Sequence, residues 1–266
     1  MEFNMNIINF ENIYVSYDLK PVLKDINLTI QNGEHWVILG SNGSGKSTLI
    51  KLISNDLHPN RKYPFTKEVF GKDRWSIFDL KKKLGIITND LHNYFSVHGS
   101  FLTAYEVVLS GYYSSIGIFK HQDFSKEQHQ KALEALEFLE ILDIKDKKVS
   151  AMSTGQLRRS IIGRALIHNP EAFILDEPTV GLDIKAQYSF IKLIQKLSKN
   201  ASIILVTHHL DEVFPEVSHV ALVHNKTIYK KGLKNEVLTS SNLSEIFELD
   251  IELKEEQNRY TIGKIQ

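Results

Sequence analysis

The chain has 266 residues, 42% of them hydrophobic and 24% charged, which is ordinary for a globular protein and excludes disordered and collagen-like classes. Its 32 lysines and arginines balance 32 aspartates and glutamates, so a general nucleic-acid binder, which needs excess cation against phosphates, is not expected. There is no cysteine, which removes disulfides, thiolate metal sites and thiol nucleophiles together.

Met1 to Phe10 lacks the basic region, apolar stretch and small-residue cleavage site of a secretory signal. No apolar run approaches the ~20 residues that span a bilayer. These features predict a cytoplasmic protein that meets a membrane only through a partner. Phe3 to Ile30 reads as short β-rich segments, with Ile26, Leu28 and Ile30 at period two. Asn32-Gly33 is a turn signal, and Trp36-Val37-Ile38-Leu39 suits a strand buried on both faces. A helical pattern starts near Lys46 with Leu49, Ile50, Leu52 and Ile53. From Asn55 to Ser76, Pro59 and Pro64 predict loops and short strands; Leu84 to Thr88 predicts a strand and Phe101 to Leu109 a helix. Ser125 and Gln128 form a capping-box pattern ahead of Ala132, Leu136 and Leu139. The apolar runs Phe173–Leu175 and Ile203–Val206 predict strands, separated by a helix from about Ile184 to Lys199. Asn225-Lys226 predicts a hairpin turn, and Leu243 to Gln266 is a mixed, partly charged tail.

The order βαβ, helix-rich stretch, βαβ predicts an α/β core with a helical subdomain inserted in it. On this reading the chain is one nucleotide-binding domain, with a core over about 1–89 and 160–232, an insert over about 90–159 and a tail over 233–266. Lys81-Lys82-Lys83 reads as a solvated basic face, and Tyr112, Tyr113 and Phe119 as packing residues. None of the 11 histidines shows the i, i+4 pairing with a glutamate that a zinc hydrolase uses.

Gly40-Ser41-Asn42-Gly43-Ser44-Gly45-Lys46-Ser47-Thr48 matches G-x-x-x-x-G-K-[ST], with a strand before it and a helix after it. Its glycines let backbone N–H groups face inward around a phosphate. The helix N-terminus adds about half an elementary charge. Lys46 is placed to reach the β- and γ-phosphates, Ser47 to ligate Mg²⁺ and Thr48 to bond the α-phosphate. A second site follows the strand Phe173-Ile174-Leu175, which ends in Asp176-Glu177. Acids at the C-terminal edge of a parallel strand face the ligand crevice. Asp176 is expected to hold Mg²⁺, and Glu177 to orient and deprotonate an attacking water.

Between these sites lie Met152-Ser153-Thr154-Gly155-Gln156 and then Arg159, Arg164, Ala165 and Leu166. Here the chain resembles the ATP-binding cassette (ABC) ATPase family, whose signature is L-S-G-G-Q. Ser153, Gly155 and Gln156 match, while Met152 and Thr154 depart. The resemblance covers about Phe10 to Gly232 and implies a P-loop NTPase core with a parallel sheet, an N-terminal antiparallel β subdomain and the inserted helices. It implies a homodimer that sandwiches two ATP molecules, each phosphate loop closed by the other copy's Ser153, Gly155 and Gln156. Gly181-Leu182-Asp183 resembles the D-loop, which couples the two sites. His208 aligns with the switch histidine, expected to contact the γ-phosphate and help hold the water; His209 has no aligned role. Tyr17 matches the aromatic that stacks on adenine. The family usually has glutamine after the strand at Leu84–Thr88, where this chain has Asn89, one methylene shorter, which implies metal contact through a bridging water. Gly33-Glu34-His35-Trp36, Val107–Gly111, Ser115-Ile116-Gly117 and His208-His209 resemble the molybdenum- and iron-complex-type branch.

The function implied is Mg²⁺-dependent ATP hydrolysis that drives transport through separate transmembrane permease subunits, with the protein at the cytoplasmic face of the membrane. The alternative is a soluble stand-alone ATPase with a regulatory, repair or assembly role. The interval from Lys46 to Ser153 holds no sustained heptads, which excludes chromosome-maintenance members with coiled-coil insertions. A cassette that binds ATP without hydrolysing it ranks last, because Glu177 and His208 are both present.

Overall fold

A computed structural model describes residues 5–18, 20–256 and 259–265. β1 (Asn6–Tyr17) and β2 (Lys20–Gln31) are two long antiparallel strands rather than the short segments expected. Shifts of register at Phe10/Ile13 and Ile13/Val15 explain the difference, because they break the period-two pattern without ending the strand. The irregularity is held by Asn27, whose Oδ1 accepts from the Asn12 N–H at 2.9 Å. Asn12 and Asp25 both take positive φ there. Ile8, Phe10, Ile13, Leu23, Ile26 and Leu28 still reach the buried face.

β3 (Trp36–Leu39) is buried at all four positions, as its apolar run predicts. It leads through the glycine-rich loop into α1 (Lys46–Ile53), which buries Leu49, Ile50, Leu52 and Ile53. β4 (Thr66–Val69) then adds to the free side of β1, giving a three-stranded sheet in the order β2-β1-β4.

The chain divides into two compact units, residues 1–77 with 197–266, and residues 78–196. The second carries α2 (Ile77–Lys83), β5 (Leu84–Ile87), α3 (Asn89–His98), α4 (Ala104–Leu109), α5 (Lys126–Phe138), α6 (Thr154–Leu166), β6 (Ala172–Asp176) and α7 (Ile184–Leu197). β5 and β6 pair in parallel. Thr88, Thr103, Ser125 and Ser153 cap four of these helices through their side-chain oxygens, and the last three form full capping boxes. The Ser125 pattern is therefore realised as expected. Of the three lysines at the end of α2, Lys82 pairs with Asp79 on the surface. Lys83 instead joins half-buried Glu171 and ties the end of α2 to the approach to β6. Tyr112 packs against the rings of Phe124 and His168, whereas Tyr113 and Phe119 are exposed.

The remainder of the first unit begins with β7 (Ser202–Thr207), followed by β8 (His219–His224) and β9 (Thr227–Leu233). β3 lies between β7 and β8 and runs parallel to both, which is why it and β7 are buried at every position. β9 returns antiparallel to β8. Asn225 and Lys226 both have positive φ, the conformation a two-residue hairpin turn demands. The tail, given no elements above, forms α8 (Lys234–Val237), α9 (Ser240–Phe247) and a hairpin of β10 (Ile251–Glu256) with β11 (Arg259–Ile265). Among the described residues no helix is long and apolar enough to cross a membrane.

Candidate nucleotide site

In the first unit, β3 delivers the chain to Gly40. A Cβ there would lie 2.2 Å from the Val223 carbonyl oxygen, so only glycine lets the loop pass β8 this closely. Gly45 occupies the N-cap of α1 with φ 118°, a conformation side chains rarely adopt. No side chain caps α1, so its N-terminal N–H groups are presented at the loop. Lys46 is 7% exposed, and its ammonium donates to the carbonyls of Gly40 at 2.7 Å and Ser41 at 3.1 Å. The charge is thus held inside the loop rather than in solvent. Ser44 Oγ is buried and has no hydrogen-bond partner among the described residues. An orphaned hydroxyl, an ammonium and an uncapped helix N-terminus form a donor set that fits a phosphate group. Asn42, Gly43 and Ser47 are exposed, and Ser41 and Thr48 half-buried. Gly40→Ala is expected to destabilise the first unit by at least ~1–3 kcal/mol through overpacking against backbone. Denaturant unfolding checks this; an unchanged midpoint would refute the close approach.

Tyr17 ends β1 with 42% of its surface exposed, and pairs in register with Lys20. His208 follows β7, half-buried, with its ring centroid 3.9 Å from that of His209. The His209 N–H donates to Thr207 Oγ1 at 3.0 Å. A cavity of about 320 Å³ beside this segment is lined by His208, His209, Phe247, Leu249, Tyr260 and Ile262. The tail hairpin therefore packs near the histidine pair, a relation no local pattern in the tail announces.

In the second unit, β6 is buried up to Leu175 and half-buried at Asp176. Glu177 follows with φ 47°, the left-handed region. The chain then turns twice, with Val180 N–H donating to Glu177 O at 3.3 Å and Leu182 N–H to Thr179 O at 3.1 Å. Asp183 accepts from the Ala186 N–H at 2.8 Å, so this expected nucleotide contact also starts α7. Ser153 and Gln156 satisfy each other as the capping box of α6, and Gln156 Oε1 also accepts from Lys147 Nζ at 2.9 Å. Gly155 lies against Leu182, where a Cβ would be 3.5 Å from Leu182 Cδ2. The signature helix and the D-loop segment are therefore brought together.

Asn89 is the first residue of α3, with Thr88 Oγ1 accepting from Leu91 N–H at 3.1 Å. Its Oδ1 accepts from Arg158 Nη2 at 3.0 Å. An amide oxygen has two lone pairs, so this bond leaves acceptor capacity for a metal-bound water. His92, one turn further on α3, is held below the usual histidine range, first by burial and then by the charge of Arg158. Arg158 and Lys147 are the residues that sequence reasoning passed over. The local sign was a second arginine beside Arg159, next to Leu157 and ahead of Ile161 and Ile162. The oxygen donors of Ser47, Asp176 and Asn89 are of the hard type that suits Mg²⁺.

Residues 23–180 match the family described as ABC transporter. The sequence is 32% identical over 257 residues, 95% of each chain, to the ABC transporter ATP-binding protein YlmA of Bacillus subtilis. It is 33% identical over 228 residues, 84% of each chain, to the zinc uptake system ATP-binding protein ZurA of Listeria innocua. Among solved structures, the dimeric post-hydrolysis state of the ATP-binding cassette MJ0796, bound to ADP and Pi, is similar with a TM-score of 0.67. That likeness is at 25% identity and covers 85% of this chain and 98% of the other. With a phosphate loop, an Asp-Glu strand end and a capped signature helix in their family order, the chain belongs to the ABC transporter family and is one of its P-loop ATPase cassettes.

Proposed function

We propose that this cassette is the motor subunit of an ABC transporter: two copies close around two ATP molecules and move separate transmembrane subunits at the cytoplasmic face of the membrane. The observation that carries the reading is the phosphate loop, with Lys46 folded onto the Gly40 and Ser41 carbonyls and Ser44 left with an unused hydroxyl. In this reading Gly40 to Thr48 hold the triphosphate and Tyr17 stacks on the adenine. Ser47 and Asp176 hold Mg²⁺, with Asn89 acting through water. When bound, the ion neutralises charge on the phosphate oxygens. Glu177 accepts the proton of the attacking water while His208 keeps that water in line. Ser153, Gly155 and Gln156 of the second copy close over the γ-phosphate, and Asp183 links the two sites.

The transporter assignment draws further support from exposed apolar side chains in the second unit. Val97 is 69% exposed and Phe101 63% exposed. Both side chains are open to a protein partner. The test uses tagged Glu177→Gln expressed in the native host, with ATP added and mild detergent extraction. The expected result is an integral membrane protein in stoichiometric amount, lost when Val97 and Phe101 are changed to aspartate. Recovery of only a soluble homodimer overturns the transporter reading in favour of a stand-alone regulatory, repair or assembly ATPase.

A further inference from the structure

Arg158 lies on α6, just beyond the signature residues, and is 3% exposed. Its Nη1 donates to two backbone carbonyls, that of Pro178 and, at 3.0 Å, that of Val180. Its Nη2 donates to Asn89 Oδ1 at 3.0 Å. One planar group therefore joins three pieces of chain: the helix that begins at the signature, the first residue of α3, and the turn between Glu177 and the D-loop. Glu177 sits immediately before the clamped carbonyls in a left-handed backbone conformation. Such a conformation persists only where the surroundings over-determine it. A guanidinium presents its donors in a fixed fork, so it can hold these acceptors in one arrangement. A lysine ammonium is a point charge on a flexible stem and does not span them in the same way.

We propose that Arg158 is a positioning residue for hydrolysis: by clamping the Pro178 and Val180 carbonyls and the Asn89 amide together, it sets the direction of the Glu177 carboxylate and couples it to α3. This rests on the reading of Glu177 as the base. Arg158 does not touch the reacting atoms; it acts through Glu177 and Asn89. Its loss is therefore a fault in turnover rather than in nucleotide binding, which belongs to the phosphate loop.

The experiment measures kcat and KM for MgATP with the full chain carrying Arg158→Gln, Arg158→Lys, Asn89→Ala, or Arg158→Gln with Asn89→Ala. Glu177→Gln runs in parallel, and thermal unfolding reports the folded fraction of each. Misplacing a catalytic group by about 1 Å costs about 10²-fold, so Arg158→Gln is expected to lower kcat by ~10–10²-fold with KM nearly unchanged. Arg158→Lys should recover only part of the loss, and Asn89→Ala should cost less in the Arg158→Gln background than in the parent, the remaining cost being that of its metal-bound water. Wild-type kcat per folded molecule in Arg158→Gln, or full additivity with Asn89→Ala, overturns the proposal. If Arg158→Gln does not fold, wild-type kcat in Arg158→Lys overturns it. An inactive Glu177→Gln beside a normal Arg158→Gln defeats this inference alone. An active Glu177→Gln removes the base assignment and this inference with it.

Discussion

Replacing Lys46 by alanine is expected to abolish useful nucleotide binding. The ammonium is buried and spans the Gly40 and Ser41 carbonyls, so it is already desolvated and oriented before a phosphate arrives. A hydrogen bond to a charged group is worth about 1.5–3 kcal/mol, and Lys46 is assigned two phosphates. Losing both contacts removes about 3–6 kcal/mol, or ~10²–10⁴ in affinity. The helix N-terminus and the Ser44 hydroxyl remain in the variant, so residual weak binding is expected. Titration calorimetry with MgATP measures the change directly. Unchanged affinity would sink the phosphate-loop assignment. Arginine is not a rescue, because its wider planar head replaces a point charge inside a loop sized for an ammonium.

The motifs were legible because each is a contiguous run whose chemistry depends on local backbone: glycines at Gly40 and Gly45, a cap at Ser153, acids at a strand end. The capping box at Ser125 and the turn at Asn225-Lys226 were legible for the same reason. β1 was misjudged in length because its shifts of register and the positive φ at Asn12 disturb the alternation that marks a strand. The tail hairpin was missed because it is a solvated ribbon. Ile251 with Leu253 and Tyr260 with Ile262 alternate over only two positions each, and of these four only Ile251 and Tyr260 are buried, so the stripe is too short to signal a strand. Thr88 is expected to end the strand before Asn89, yet it is a good N-cap and starts a helix there. The roles of Lys83 and Arg158 depend on partners distant in sequence, Glu171 for one and Asn89 and Pro178 for the other. No window of local sequence contains both members of such a pair.

Replacing Glu177 by glutamine is expected to leave ATP binding intact and to remove turnover. The amide keeps the shape of the side chain but accepts no proton, and a positioned general base typically contributes ~10²–10⁴ in rate. The ATP-bound dimer should then accumulate, visible as a stable larger species in gel filtration with MgATP. Full turnover would remove Glu177 as the base. The backbone supplies a second, independent expectation. A left-handed conformation costs a non-glycine residue roughly 1–2 kcal/mol. Glycine relieves that cost but loses about 0.5–1 kcal/mol through the greater freedom of its unfolded chain. On the backbone balance alone Glu177→Gly should therefore match the parent, any net loss measuring the interactions of the Glu177 side chain, while hydrolysing no ATP. The strain at φ 47° would then be a feature kept for catalysis and not for folding. A marked loss of stability in Glu177→Gly would instead show that the Glu177 side chain holds the turn together, and its direction would then be set by its own contacts more than by the clamp of Arg158.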